Sequence, residues 1–130
     1  MKYLGFYREL DAVGPNRVYS DSILAVSGRG SSDSIDSVAK YLESGYPVLD
    51  VMESTPDPLR PGHYVRGGAS ILTDGHWVWR FDLAYYVREH AVKLPEEFLT
   101  ALVSANYVRP ALELDELRRI AIEVCDWLGY

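Results

Sequence analysis

With one cysteine among its 130 residues, Cys125, the chain has no internal disulfide to close. The spacings that mark metal sites are also missing. Its three histidines, His63, His76 and His90, form no His-x-x-x-His pair, and there is no Cys-x-x-Cys. Basic residues are the scarcer charge, 13 against 19 acidic ones, which leaves a net charge of −6 at pH 7. A surface that neutralises nucleic-acid phosphates or an anionic membrane needs the opposite balance, so neither is an expected partner. Long apolar runs are lacking too. The opening Met1-Lys2-Tyr3-Leu4-Gly5-Phe6-Tyr7-Arg8-Glu9 meets charge too early for a signal-peptide core. The longest later apolar stretch, residues 83–87, is far below the roughly 20 residues of a spanning helix. These absences predict a soluble cytoplasmic protein with no metal and no cofactor.

What is present is ordinary globular composition, 48% hydrophobic and 25% charged, in a chain long enough for one self-sufficient core. Residues 3–7 read as a first strand, ended by Gly14-Pro15-Asn16. Ser20 or Asp21 is placed to cap a short helix over residues 23–26, and Ser27-Gly28-Arg29-Gly30-Ser31-Ser32 reads as loop. Asp33 and Asp36 resemble a capping box before Ile35, Val38, Ala39 and Leu42, which recur at helical spacing until Gly45. A strand follows at residues 46–52. Residues 54–67, with Pro56, Pro58 and Pro61, then exceed a usual connection and read as a long irregular loop.

The sharpest local signal is Asp74-Gly75 between two apolar runs, which predicts a tight hairpin. With Thr73 opposite His76, Leu72 faces Trp77 and Ser70 faces Trp79 on one side, and Ile71 faces Val78 on the other. Asp82 is placed to cap a helix that turns Leu83, Tyr86 and Val87 inward. A second helix starts at Leu94-Pro95-Glu96-Glu97 and buries Phe98, Leu102 and Ala105. The last carries Leu114, Leu117, Ile120, Ala121, Val124 and Leu128 at 3.6-residue spacing, with Cys125 beside that stripe. The prediction is one α+β domain over residues 1–130: a small antiparallel meander with a tight Asp-Gly hairpin, packed against about four helices.

No set of residues converges on a reaction. Gly28-x-Gly30 and Gly67-Gly68 lack the lysine of a phosphate loop, and the carboxylate pairs Glu96-Glu97 and Asp115-Glu116 fall where helix dipoles already explain them. No serine has the Gly-x-Ser-x-Gly setting of a nucleophile elbow. Two distributed features remain. Between Lys40 and Arg60 there is no basic residue, whereas Glu43, Asp50, Glu53 and Asp57 are acidic. The chain also holds ten tyrosines and three tryptophans, of which Tyr64, Tyr85, Tyr107 and Trp127 are not drawn inward by periodicity.

The run at residues 72–87, followed by Leu94-Pro95-Glu96-Glu97-Phe98-Leu99, resembles small actinobacterial proteins, some of which are similar to immunity proteins of toxin loci. The resemblance spans residues 72–99. It implies stoichiometric neutralisation of a partner toxin and carries no catalytic residue with it. From the residues themselves the expectation is a non-catalytic protein-binding module. Its contacts are Glu53 and Asp57 as charges and Tyr64 and Tyr85 as aromatics, facing a protein partner such as a basic toxin domain. The alternatives are a small enzyme built from the 54–67 loop and the 70–80 hairpin, using His63, His76 and Asp57, or an accessory subunit that forms a homodimer.

Overall fold

The computed structural model describes residues 1–10, 19–31 and 33–130. In chain order these form β1 (Lys2–Leu4), α1 (Ile35–Glu43), β2 (Tyr46–Leu49), β3 (Ser54–Pro56), β4 (Tyr64–Arg66), β5 (Ile71–Thr73), β6 (Trp77–Arg80), α2 (Leu83–His90), α3 (Glu96–Ser104) and α4 (Leu114–Leu128). Strands β1, β6, β5 and β2 make one four-stranded sheet in that order, and β3 and β4 make a separate pair. This is an α+β fold. The expected break at Gly14-Pro15-Asn16, and Ser32, lie outside the described residues.

The meander β2-β5-β6 is antiparallel as expected, but the sheet as a whole is mixed, because β1 runs parallel to β6 with Tyr3 opposite Val78. Hairpin geometry fixes only strands that are neighbours in the chain. β1 and β6 are separated by most of the molecule, so alternation along β1 could not reveal its direction.

Apolar residues on both faces of the β5–β6 hairpin are explained by cover on both sides. Leu72, Trp77 and Trp79 pack with Leu42, Tyr86 and Phe98 from α1, α2 and α3. Ile71 and Val78 pack with Ile120 and Val124 of α4. Trp79 is fully buried, and its indole Nε1 donates to the Leu42 carbonyl at 3.0 Å, so its one polar atom is satisfied inside the core.

The hairpin register differs from the expected one. Leu72 pairs with Trp79 and Thr73 with Val78, and the Asp74 N–H bonds the Trp77 carbonyl at 3.3 Å, so the tip is Gly75-His76. Asp74 is a buried anchor rather than a turn residue. Its Oδ1 accepts from the His76 and Trp77 amides at 3.0 and 2.8 Å, and its Oδ2 accepts from the Tyr41 hydroxyl at 2.7 Å. Gly75 supplies the positive φ of 101° that the first tip position requires. The slip moves each residue's partner by two, Leu72 from Trp77 to Trp79, an even offset that preserves which side chains share a face.

Other differences are local. Residues 23–25 form a 3₁₀ turn capped by Ser22, whose hydroxyl accepts from the Leu24 amide, in place of Ser20 or Asp21. The N-cap of α1 is Ser34, without a side-chain capping bond, so Asp33 and Asp36 form no capping box. Ala105 is exposed because it is already the C-cap of α3. On α4 only Ile120 and Val124 are buried; Leu117, Ala121 and Cys125 are half-buried and Leu114 is exposed, since the helix rests on the sheet through one narrow stripe.

Candidate functional site

Residues 54–67 are not irregular. Thr55 pairs with Val65 and Pro56 with Tyr64, so β3 and β4 form a hairpin whose tip spans residues 57–63. Pro56 fits because its pair with Tyr64 is a non-hydrogen-bonded one, next to the Asp57 N–H that bonds the His63 carbonyl, so its missing N–H would have faced away from β4; Pro58 and Pro61 lie in the tip. Strand alternation then sorts the side chains. Ser54, Pro56, Tyr64 and Arg66 face out, while Thr55 and Val65 face in. Asp57 falls on the inward parity.

That placement decides its chemistry. The Asp57 side chain is completely covered, and its carboxylate accepts three hydrogen bonds, from the Leu59 amide at 2.8 Å, the Tyr85 hydroxyl at 2.7 Å and His90 Nε2 at 2.6 Å. Leu59 closes the tip, whereas Tyr85 and His90 belong to α2, so one carboxylate fastens hairpin to helix. Burial alone would raise the Asp57 pKa, but the bonds from His90, Tyr85 and Leu59 outweigh it and hold the group below its ordinary value. The partner responds in the opposite sense. Burial and the Asp57 contact push Tyr85 up to about 12, so its phenol stays protonated and donating. Arg60 adds an ion pair to Glu89 at 3.5 Å across the same junction. The Tyr86 ring stacks on His90 at 6.0 Å between centroids.

A second buried polar centre lies at the base of the hairpin. Arg80 and Asp82 form a two-pronged ion pair at 2.8 and 3.2 Å with both side chains almost fully covered. Arg80 also donates to the Leu10 carbonyl and the Tyr19 hydroxyl, and Thr55 donates to Asp82 at 3.4 Å. Burial pushes Asp82 up to about 6 despite the attraction of Arg80. Asp82 is the N-cap residue of α2, yet its carboxylate makes no capping bond because Arg80 has taken it. Gly68 lies against this pair, and a Cβ there would meet Thr55 Oγ1 and, at 3.1 Å, Asp82 Oδ2. Gly67-Gly68 therefore serves a turn and a close approach.

The expected contact residues are thus divided. Glu53 and Tyr64 are exposed, Tyr64 at 64%. Tyr85 is half-buried with its hydroxyl committed to Asp57. Asp57 is corrected from a solvent-facing charge to a buried anchor, because its strand position turns it toward α2. The acidic stretch is correspondingly thinner than its composition suggests. Glu43, though exposed, is paired with Arg88 at 2.7 Å, which leaves the exposed Asp50 and Glu53 as the acids of the stretch outside that ion pair and the Asp57 clasp.

Of the histidines, His63 and His76 are exposed, and neither joins Asp57 through its side chain. His90, the last residue of α2, is the one that does. An aspartate holding one imidazole nitrogen is half of a nucleophile-activating relay. Among the described residues, however, His90 makes no hydrogen bond to a serine, threonine or cysteine, and its contact with Asp57 works as a clasp. No group of three or more His, Cys, Asp or Glu side chains among the described residues is arranged to hold a metal ion. Among the described residues no helix is long and apolar enough to cross a membrane. The chain matches no protein-family model, no curated protein and no solved structure.

Proposed function

We propose that the chain is a non-catalytic protein-binding module that presents the outer face of the β3–β4 hairpin, and that its partner is a basic protein of the kind an immunity protein neutralises. The observation that carries this reading is the clasp. Buried Asp57 ties the hairpin tip to α2 through Tyr85 and His90, while Tyr64 on the opposite face stays 64% exposed. A pose fixed before binding removes much of the ordering cost of association, and an exposed tyrosine on a rigid ribbon is a suitable anchor. Glu53 sits at the base of β3, and the net charge of −6 favours a basic partner.

The test is surface plasmon resonance against the protein encoded beside this chain's gene. Tyr64→Ala is expected to raise the dissociation rate by an amount worth about 1–2 kcal/mol or more, and Glu53→Lys to lower the association rate mainly at low salt. Absence of binding, or binding indifferent to both substitutions in folded protein, would sink the reading.

A further inference from the structure

The two edges of the β3–β4 ribbon are unlike. On β3, Pro56 has no N–H to offer outward, and its carbonyl accepts from the Tyr86 hydroxyl at 3.5 Å. On β4 the edge is open. The Asp57 amide bonds the His63 carbonyl and the Gly67 amide bonds the Glu53 carbonyl, so alternation directs the N–H and C=O of Tyr64 and Arg66 away from β3. Among the described residues no other main chain meets these groups, and both side chains are exposed. Donors and acceptors spaced along an extended edge are matched by a second extended chain, which is why sheets usually guard such edges.

We propose that β4 pairs with β4 of a second copy of this chain, antiparallel about a two-fold axis at Val65. Self-complementarity selects this occupant. The axis sets Tyr64 opposite Arg66 of the second copy and Arg66 opposite its Tyr64, so each couple exchanges both main-chain bonds. The side chains of a couple share the outer face, where guanidinium and phenol ring attract. Arg60 and Arg88 are already paired with acids, whereas Arg66 makes no ion pair among the described residues. An edge charge would repel a parallel mate in register, but here it meets a ring. Beside Val65 on the covered face lies a cleft of about 200 Å³ lined by Phe81, Ala84, Arg88, Glu43 and Glu89 among others. Its charges are paired, Glu43 with Arg88 at 2.7 Å and Glu89 with Arg60 at 3.5 Å, so the cleft does not repel its own copy across the axis. A three-residue edge makes the dimer weak and dependent on concentration. The inference does not rest on the partner reading above, and its test needs no partner protein, so either can fail alone.

Sedimentation equilibrium of the full chain tests the pairing at about 0.15 M salt, where repulsion between two chains of net charge −6 is screened beyond about 8 Å. A monomer–dimer equilibrium is expected between about 10 µM and about 1 mM protein. Arg66→Pro removes the outward N–H and is expected to leave only monomer. Arg66→Glu sets a carboxylate against the Tyr64 ring and is expected to weaken the dimer by about tenfold. Adding Tyr64→Lys to Arg66→Glu places opposite charges across the axis and is expected to restore dimerisation to within a few-fold of the parent. Thermal unfolding that matches the parent's establishes that each variant is folded. A parent that stays monomeric up to about 1 mM overturns the proposal. So does a dimer that survives Arg66→Pro or Arg66→Glu, or one that the added Tyr64→Lys fails to restore.

Discussion

Replacing Asp57 with alanine separates a hairpin fastened by its carboxylate from one that merely rests on α2. The substitution leaves the Leu59 amide, the Tyr85 hydroxyl and the His90 ring without the acceptor they share at 2.6 to 2.8 Å. A hydrogen bond to a charged group contributes about 1.5–3 kcal/mol, but three that meet on one carboxylate are not additive. Leaving buried donors without their acceptor costs about 1–3 kcal/mol, which is the expected loss for Asp57→Ala. Asp57→Asn keeps an oxygen for Leu59 but turns an N–H toward the other two donors, so its loss is intermediate. The folded pKa lies below the ordinary 3.8, so the stabilisation is complete above that pH and fades only as the pH falls further, through the folded value. Urea unfolding at pH 7 and pH 3 measures both the gap and its closing. Amide exchange at Leu59 then distinguishes global loss from local opening of the tip. A change below about 1 kcal/mol, with Leu59 as protected as in the parent, would refute the clasp.

Three further outcomes are expected. Asp82, raised by burial from 3.8 to about 6, stabilises most when protonated, so its contribution is full below 3.8 and is lost as pH rises through about 6; Asp82→Asn should remove that downward slope, and parallel urea midpoints for parent and variant between pH 4 and 7 would contradict it. Gly75→Val places a β-branched residue at a φ of 101° and its Cβ 2.7 Å from Leu112, so the melting temperature should fall by an amount worth more than about 1 kcal/mol. On α4, Val124→Ala should destabilise by about 2 kcal/mol, while Ile122→Ser, at 73% exposure, should stay within about 0.5 kcal/mol in the same denaturation assay.

The parts of the fold that were legible are those in which a short segment carries its own instruction. Helical periodicity located α1, α3 and α4, and a turn glycine between apolar runs located the β5–β6 hairpin. The inward side of that hairpin was also readable, because the observed offset from the expected register is even and leaves Leu72, Trp77 and Trp79 on one face. The register itself was not readable, since Asp74 could occupy a turn position or anchor one. The Tyr41 hydroxyl, 33 residues away in the chain, donates to the anchored Asp74, and no local pattern reveals that contact. The parallel docking of β1 on β6 likewise depends on contacts between chain ends.

The candidate site was obscured by its prolines. Three of them in residues 54–67 lower the strand signal, and a loop reading makes the segment's one acidic residue, Asp57, a surface charge. A hairpin reading reverses that conclusion. Thr55 and Val65 oppose each other on the covered face, and two-residue alternation carries Asp57 to the same side as Thr55. An acidic residue sent inward must find donors, so the question becomes which element can offer them. On α2, Tyr85 in the first turn and His90 at the last residue are five apart and reach one carboxylate. Sequence periodicity assigned Tyr85 outward and was correct about direction, because the hairpin lies outside the helix. What it could not supply was the second layer, and with it the difference between an aromatic offered to a partner and one already engaged within the chain.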